Sequence, residues 1–87
     1  MGGIIFTDSA FRHGVPESDF VEAMQRRHLK FRIGRGGQAV YEIIGRNAAG
    51  QYRHFLYRAL LDGTLKVFHM MPAKETQKRL YRRRFRL

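Results

Sequence analysis

The feature that most constrains the fold is a set of three β-like segments between residues 40 and 71. Val, Ile, Tyr, Phe and Leu dominate each segment, and turn-favouring residues separate them. The strongest turn pattern is Asp62-Gly63, which stands between two apolar segments. An Asp-Gly pair in this position is typical of a two-residue type I′ hairpin, because both turn residues need positive φ. The pattern predicts three antiparallel strands.

A two-residue hairpin would fix the register of the two strands that it joins. The expected pairs are Arg58 with Val67, Tyr57 with Phe68 and Leu56 with His69. One face of these strands is then mostly apolar and is expected to face the core: Phe55, Tyr57, Ala59, Leu61, Phe68, Met70. The other face mixes aliphatic side chains with His54, Arg58 and His69, a composition suited to work on an anion.

Before these strands, the sequence predicts a short strand over residues 4–6 and two helices. Residues 9–13 can form little more than one helical turn, and Gly14 stands where helices often end in a left-handed residue. A second helix is expected from Pro16, because proline is tolerated in a first turn and apolar residues follow at helical spacing. We therefore expect an α+β fold, in which both helices pack on a twisted antiparallel sheet.

Two further segments flank the three strands. Residues 28–33 alternate basic and apolar side chains, as an exposed or edge strand does, and a basic glycine-rich loop at residues 34–37 follows. After Pro72, residues 73–84 are expected to form a basic helix with a thin apolar face. From Lys74 onward the chain carries seven Lys and Arg against one Glu. This end is expected to be either a solvated tail or a segment that binds phosphates.

Charge is the compositional feature that most restricts function. The 87 residues include 17 Lys and Arg but only 7 Asp and Glu, which gives a formal net charge of +10. That balance favours polyanionic partners, with nucleic acid first and an anionic membrane surface or an acidic protein as alternatives. The absence of cysteine excludes disulfides and thiolate metal sites. No apolar run reaches the roughly 18 residues of a membrane span, so one cytoplasmic domain over residues 1–87 is expected.

Three short motifs occur in a distinctive order. They are H-G-V at residues 13–15 with Asp19 and Phe20, I-I-G-R at residues 43–46 with Gly50, and D-G-T at residues 62–64 leading to H-M-M-P-A at residues 69–73. In this order the chain resembles, over residues 4–74, the BrnT-like branch of the RelE/ParE superfamily. The resemblance implies a RelE-like fold and a type II toxin that cleaves mRNA and arrests translation. It also implies a cognate antitoxin, often of the ribbon-helix-helix type.

The chain departs from this family just after the last strand. The better-known members have arginines where this chain has Met71 and Pro72. The resemblance then implies that Lys74, Arg79 or Arg82 binds phosphate instead, or that the nuclease activity is absent. Lys74 keeps a positive charge but lacks the bidentate fork of arginine.

Metal-independent RNA cleavage needs a general base, a general acid and cations that stabilise the transition state. His54 and His69 are the candidate acid and base, because histidine titrates near neutral pH. Arg46 and Arg58 are the candidate phosphate ligands, and Tyr52 is expected to stack on a base or donate a proton. A basic row is expected to bind RNA: Lys74, Lys78, Arg79, Arg82, Arg83. The four histidines lack the spacing of a zinc site, so neither metal nor cofactor is expected.

Three functions remain open from the sequence. The first is a ribonuclease toxin that acts on RNA, including mRNA on the ribosome. The second is a toxin-fold protein that acts by binding alone, which would fit the missing arginines. The third is a nucleic-acid-binding module in which Tyr41, Tyr52 and Tyr57 stack bases. Each strand histidine also has a structural interpretation, as a half-buried, hydrogen-bonded residue.

Overall fold

The structure is a computed structural model that describes residues 2–34, 37 and 39–87. Within that part of the chain it is an α+β protein with one sheet, which confirms the predicted fold class. The elements in chain order are β1 (Ile4–Phe6), a 3₁₀ helix (Asp8–Phe11), α1 (Glu17–Met24), β2 (His28–Arg32), β3 (Val40–Arg46), β4 (Tyr52–Ala59), β5 (Leu65–Pro72) and α2 (Glu75–Phe85).

The local predictions hold with shifted boundaries. The first predicted helix is a single 3₁₀ turn, and Gly14 follows it with the expected positive φ of 74°. Pro16 directly precedes α1, and its extended backbone marks the start of that helix. The expected basic helix is α2. In the glycine-rich loop predicted at residues 34–37, Arg35 and Gly36 lie outside the described residues.

The sheet has the strand order β1-β5-β4-β3-β2 and is mixed. Strands β2 to β5 pair antiparallel, as predicted, but β1 pairs parallel with β5 through Ile4 opposite Leu65 and Phe6 opposite Val67. The expectation of a purely antiparallel sheet is therefore wrong at this edge. The chain leaves β1 through the 3₁₀ helix and α1 and reaches the far edge at β2. Parallel neighbours cannot be joined by a tight turn, and here the chain from the 3₁₀ helix through β4 connects β1 to β5.

The β4–β5 turn is one residue longer than predicted. The backbone N–H of Leu60 donates to the carbonyl of Thr64 (2.8 Å), and that of Gly63 donates to the carbonyl of Leu60 (3.0 Å), which leaves a three-residue loop over residues 61–63. Gly63 has φ of 88°, whereas Asp62 has no positive φ. Asp62 instead accepts the backbone N–H of Thr64 through Oδ1 (2.9 Å). A three-residue loop that ends in a left-handed glycine is the next most common hairpin connection.

This longer turn shifts the register, and a β-bulge then restores it. Next to the turn the pairs are Ala59 with Leu65, Arg58 with Lys66 and Tyr57 with Val67. A bulge then brings Leu56 opposite His69, because β5 has one extra residue, Phe68, between the partners of Tyr57 and Leu56. The predicted pairing of Leu56 with His69 is therefore confirmed, whereas the pairings of Arg58 with Val67 and of Tyr57 with Phe68 are wrong. As a consequence Val67, not Phe68, is fully buried.

One face of the sheet packs against the 3₁₀ helix and α1 and forms the main core. Phe20 of α1 makes an edge contact with Phe55, with ring centroids 5.3 Å apart. Gly45 allows α1 to approach β3 closely, because a Cβ there would lie 3.2 Å from the Cβ atoms of Ala23 and His28. The buried members of this core are Ala10, Val15, Phe20, Ala23, Ile43, Phe55, Tyr57, Val67 and Met70.

Helix α2 covers one end of the opposite face. Tyr81 is 1% exposed, packs with Leu29 and Ile44, and donates its hydroxyl to the carbonyl of Arg27 (3.0 Å). The neighbouring Leu80 is 40% exposed. The basic end is therefore a packed helix that Tyr81 anchors. Across the described residues, neither helix has the length and hydropathy needed to span a membrane.

Candidate functional site

Three imidazole rings lie in a row across the sheet face opposite the main core. The ring of His69 on β5 lies 5.3 Å from that of His54 on β4 and 5.7 Å from that of His13, measured between centroids. Both contacts are edge-to-face, with interplanar angles of 77° and 71°. His69 directly follows the bulge region of β5, and bulges commonly redirect side chains next to functional sites. The structure thus brings His54 and His69 together.

Glu42 contacts His54, the buried end of this row. Its Oε2 lies 2.7 Å from Nε2 of His54, which is 7% exposed. In this arrangement Nε2–H donates to the carboxylate, which fixes the orientation of the ring. Nδ1 of His54 is buried and has no hydrogen-bond partner in the described part of the chain. His54 is therefore too enclosed to contact a phosphate, and its place is behind His69.

His69 is half-buried in the middle of the row. Burial is the main cause that lowers the pKa of His69 below its usual 6.5, and the nearby charges of His54 and His13 lower the pKa further. Both causes disfavour the imidazolium. His69 is consequently neutral at pH 7 and carries a lone pair that can accept a proton.

His13 forms the outer end of the row and is exposed. It lies between the 3₁₀ helix and α1, and it reaches His69 because the 3₁₀ helix packs beside β5: Ser9 Oγ donates to the carbonyl of Phe68 (3.0 Å). Sequence reasoning did not place His13 or Glu42 in the site. The only signal for His13 was its position beside Gly14 in the first motif.

Arg58 and Lys66 bring positive charge to the part of this face nearest the β4–β5 turn. The two residues are cross-strand partners, and Arg58 lies on β4 two positions beyond Leu56, the partner of His69. The Arg58 guanidinium carbon lies 5.1 Å from the centroid of the Phe68 ring. Arg58 is also exposed and lines an open depression of about 260 Å³. The sheet places this cation on the same face as His69.

Arg46 lies in a different group, at the α2 end of the same face. Its guanidinium carbon is 5.8 Å from the centroid of the Tyr52 ring and 5.4 Å from that of Tyr81. Arg82 of α2 approaches the Tyr52 ring as well, at 5.8 Å. Tyr81 makes an edge contact with Tyr52 (5.3 Å). The predicted phosphate ligand Arg46 and the predicted stacking residue Tyr52 thus contact each other beneath α2.

The remaining cations predicted to bind RNA divide between two sides of α2. Lys78 and Arg82 are half-buried and lie 3.9 Å and 3.3 Å from the carboxylate of Glu75. On the outer side, Arg79 and Arg83 are exposed and line a shallow groove with Thr76 and Leu80. Lys74 is exposed at the start of the helix, where its backbone N–H donates to Gln77 Oε1 (2.8 Å).

A second polar group ties α1 to the β3–β4 turn. Asp19, which is 5% exposed, accepts from Nε of Arg53 (2.9 Å) and from Nδ2 of Asn47 (3.2 Å). Glu22 accepts the backbone N–H of Ala48 (2.8 Å). These contacts lie on the core side of the sheet, so they position α1. They give the motif residue Asp19 a structural role.

In the part of the chain that the structure describes, no group of three or more His, Asp or Glu side chains is arranged to hold a metal ion. Comparisons of the chain with protein-family models, with curated proteins and with solved structures found no match. Function is therefore inferred from the residues of this face and from the sequence motifs.

Proposed function

We propose that the protein is a toxin of a bacterial toxin–antitoxin pair that cleaves RNA without a metal ion, with a RelE-like fold. The observation that carries the nuclease proposal is the row of three imidazoles on the face of a strongly basic protein. The toxin role and the antitoxin partner come from the resemblance of the three sequence motifs. The general base is His69, and the general acid is His13.

In this mechanism His69 accepts the proton of a ribose 2′-hydroxyl. The 2′-oxygen attacks phosphorus, the bond from phosphorus to the 5′-oxygen breaks, and His13 in its protonated form gives that leaving oxygen its proton. The products are a 2′,3′-cyclic phosphate and a 5′-hydroxyl. Each acid–base contribution of this kind is worth about 10²- to 10⁴-fold in rate.

The other residues of the face support this chemistry. His54, held by Glu42, packs against His69 and keeps its ring in place. Arg58, on the same face, supplies positive charge for the phosphate oxygens as charge develops in the transition state. Because His54 is only 7% exposed, it acts through His69 and not on the substrate.

Expression in a bacterium tests the whole proposal. The wild-type chain should arrest growth and fragment mRNA. Co-expression of an acidic antitoxin encoded by the neighbouring reading frame should restore growth. His69→Gln and His13→Gln should each relieve the arrest, whereas His28→Gln should remain toxic, because His28 bonds to the carbonyl of Arg26 away from the row. A harmless wild-type chain, or full toxicity in all three variants, would contradict the proposal.

Purified protein tests the chemistry separately. Cleavage should persist in a metal chelator and should leave 2′,3′-cyclic phosphate ends detectable by mass spectrometry. An RNA with a single 2′-deoxyribose at the cleavage position should resist, since it lacks the nucleophile. Cleavage of that substrate, or dependence on a divalent ion, would rule out His69 as the base of a 2′-hydroxyl attack.

The alternative function is a toxin-fold protein that binds nucleic acid without cleaving it. The burial of His54 and its pairing with Glu42 favour that alternative, because a histidine of this kind can be purely structural. The two functions differ in one measurement. A binding protein retains labelled RNA in a filter assay but leaves its length unchanged on a denaturing gel.

A further inference from the structure

We propose that Arg46 and Arg82 form a second anion site around Tyr52, which holds a phosphate of single-stranded RNA next to the phosphate that is cleaved. This inference rests on the proposed function for the identity of the anion. The geometry that points to it is independent of the imidazole row: two guanidinium groups lie beside one aromatic ring at the α2 end of the sheet face.

Arg46 contacts aromatic rings, whereas Arg82 contacts both an aromatic ring and a carboxylate. Arg46 contacts the rings of Tyr52 and Tyr81. In the described part of the chain, no carboxylate lies within ion-pair distance of Arg46. Arg82 shares Tyr52 with it and contacts Glu75 at 3.3 Å, where Glu75 is 65% exposed.

Two guanidinium groups that each lie 5.8 Å from the centroid of one ring concentrate positive charge there, and a bound anion offsets that charge. A cation–π contact with an aromatic ring does not consume the N–H donors of the guanidinium group. Those donors match the geometry of phosphate oxygens and can bind them in a bidentate manner. The arrangement is therefore suited to a phosphate.

Helix packing builds this site. Tyr81 is buried against Leu29 and Ile44, and its hydroxyl bond to the carbonyl of Arg27 fixes the rotation of α2. Arg82 follows Tyr81 in the helix and is thereby directed over the sheet at Tyr52. Arg82 is 38% exposed and Tyr52 is half-buried, so solvent and ligands reach the pair.

The position of the site specifies the substrate. Tyr52 and His54 lie on the same face of β4 two residues apart, which is about 7 Å along a strand. The His54 ring in turn contacts the His69 ring, so the Tyr52 group and His69 lie along one continuous path on this face. We therefore expect a strand with its cleaved phosphate at His69 to place a neighbouring phosphate at Arg46 and Arg82. The preferred substrate is single-stranded RNA with at least two consecutive phosphates.

Binding measurements test the site without requiring catalysis. Fluorescence anisotropy of a labelled ten-nucleotide oligouridylate should show about tenfold weaker binding for Arg46→Lys, because lysine keeps the charge but loses the bidentate fork of arginine. A tenfold loss corresponds to about 1.4 kcal/mol. The matched control is Arg84→Lys at an exposed position of α2, which should bind like the wild type.

Arg82→Lys is the second variant and guards against a folding defect in Arg46→Lys. Inorganic tripolyphosphate should compete for the wild-type site more strongly than for either lysine variant. Equal oligouridylate binding by the wild type and by Arg46→Lys, Arg82→Lys and Arg84→Lys would overturn the proposal. Competition by free uridine but not by tripolyphosphate would also overturn it, since the site would then hold a base.

Cleavage assays test the substrate preference. The wild type should cleave a trinucleotide that contains two phosphates faster than a dinucleotide that contains one, and Arg46→Lys should remove that preference. An unchanged preference in Arg46→Lys would contradict the assigned position of the site. If the wild type cleaves neither substrate, the proposed nuclease function fails, whereas the binding comparison still decides the anion site.

Discussion

Nε2 of His54 lies 2.7 Å from Oε2 of Glu42, and the two residues are diagonal neighbours on strands β4 and β3. This pair links a carboxylate on one strand to His69 on another, because the His54 ring also contacts the His69 ring. His69 is thus supported from behind. In the proposed mechanism Glu42 is a positioning residue.

Glu42→Gln should lower the RNA cleavage rate by about tenfold, a loss of about 1.4 kcal/mol in transition-state stabilisation. Glutamine can still accept the N–H of His54 but no longer offers a charge. Nitrogen-15 NMR of the imidazoles should show a changed signal for His54, which a purely structural role of Glu42 in the fold would not require. Glu17→Gln, at an exposed position of α1, is the control. Unchanged cleavage and unchanged His54 signals in Glu42→Gln would remove Glu42 from the site.

The lowered pKa of His69 predicts how the stability of the fold depends on pH. Its folded pKa lies below 6.5, so the unfolded chain binds this proton more tightly than the folded chain. The contribution of His69 to stability is therefore unchanged well above pH 6.5 and becomes increasingly unfavourable as the pH falls through that value. His69→Gln should lose less stability than the wild type between pH 7 and pH 5, measured as urea midpoints.

His28→Gln is the matched control for that titration, because His28 lies outside the row. Its urea midpoints should change with pH as those of the wild type do. If His69→Gln loses as much stability on acidification as the wild type, then the folded structure does not lower the pKa of His69.

The sequence predicted the strands well because apolar and β-branched residues alternate with clear turn residues. It could not predict the register near the turn. Asp62-Gly63 is compatible with both a two-residue and a three-residue loop, and the choice between them changes which residues pair. In the structure the longer loop occurs together with the bulge and with the burial of Val67 in the core.

The functional face could be predicted only in part. Period-two alternation is enough to place His54 and Arg58 on one face of β4, and the confirmed pairing of Leu56 adds His69. His13 and Glu42 are 29 residues apart in the chain, and only the tertiary fold brings them to the two ends of one row. Local patterns carry no information about such contacts.

Substitution of Asp19 should destabilise the fold without directly affecting RNA cleavage. Asp19→Asn should lower the free energy of unfolding by about 3 kcal/mol, because Arg53 is left partly buried without its carboxylate. Asp8→Asn, at an exposed position of the 3₁₀ helix, should change it by less than about 0.5 kcal/mol. Urea denaturation measures both. A loss for Asp19→Asn no larger than that of Asp8→Asn would mean that the pair with Arg53 contributes little to stability.

Substitutions of Tyr81 test how firmly α2 is attached to the sheet. Tyr81→Ala should lower the free energy of unfolding by about 3–5 kcal/mol, because a large buried side chain is removed from between Leu29 and Ile44. Tyr81→Phe should cost about 1 kcal/mol, since only the hydrogen bond to Arg27 is lost. Leu80→Ala, on the exposed side of the same helix, is the control and should cost less than about 0.5 kcal/mol.

The same variants separate the packing of α2 from its positive charge. Tyr81→Phe keeps α2 in place and should bind oligouridylate like the wild type. Tyr81→Ala should bind more weakly even where it remains folded, because Arg82 is no longer held over Tyr52 although every cation is still present. Circular dichroism at the assay temperature checks that the variant is folded. Wild-type affinity in a folded Tyr81→Ala variant would show that α2 contributes only its net charge to RNA binding, in which case its position on the sheet is irrelevant to the anion site.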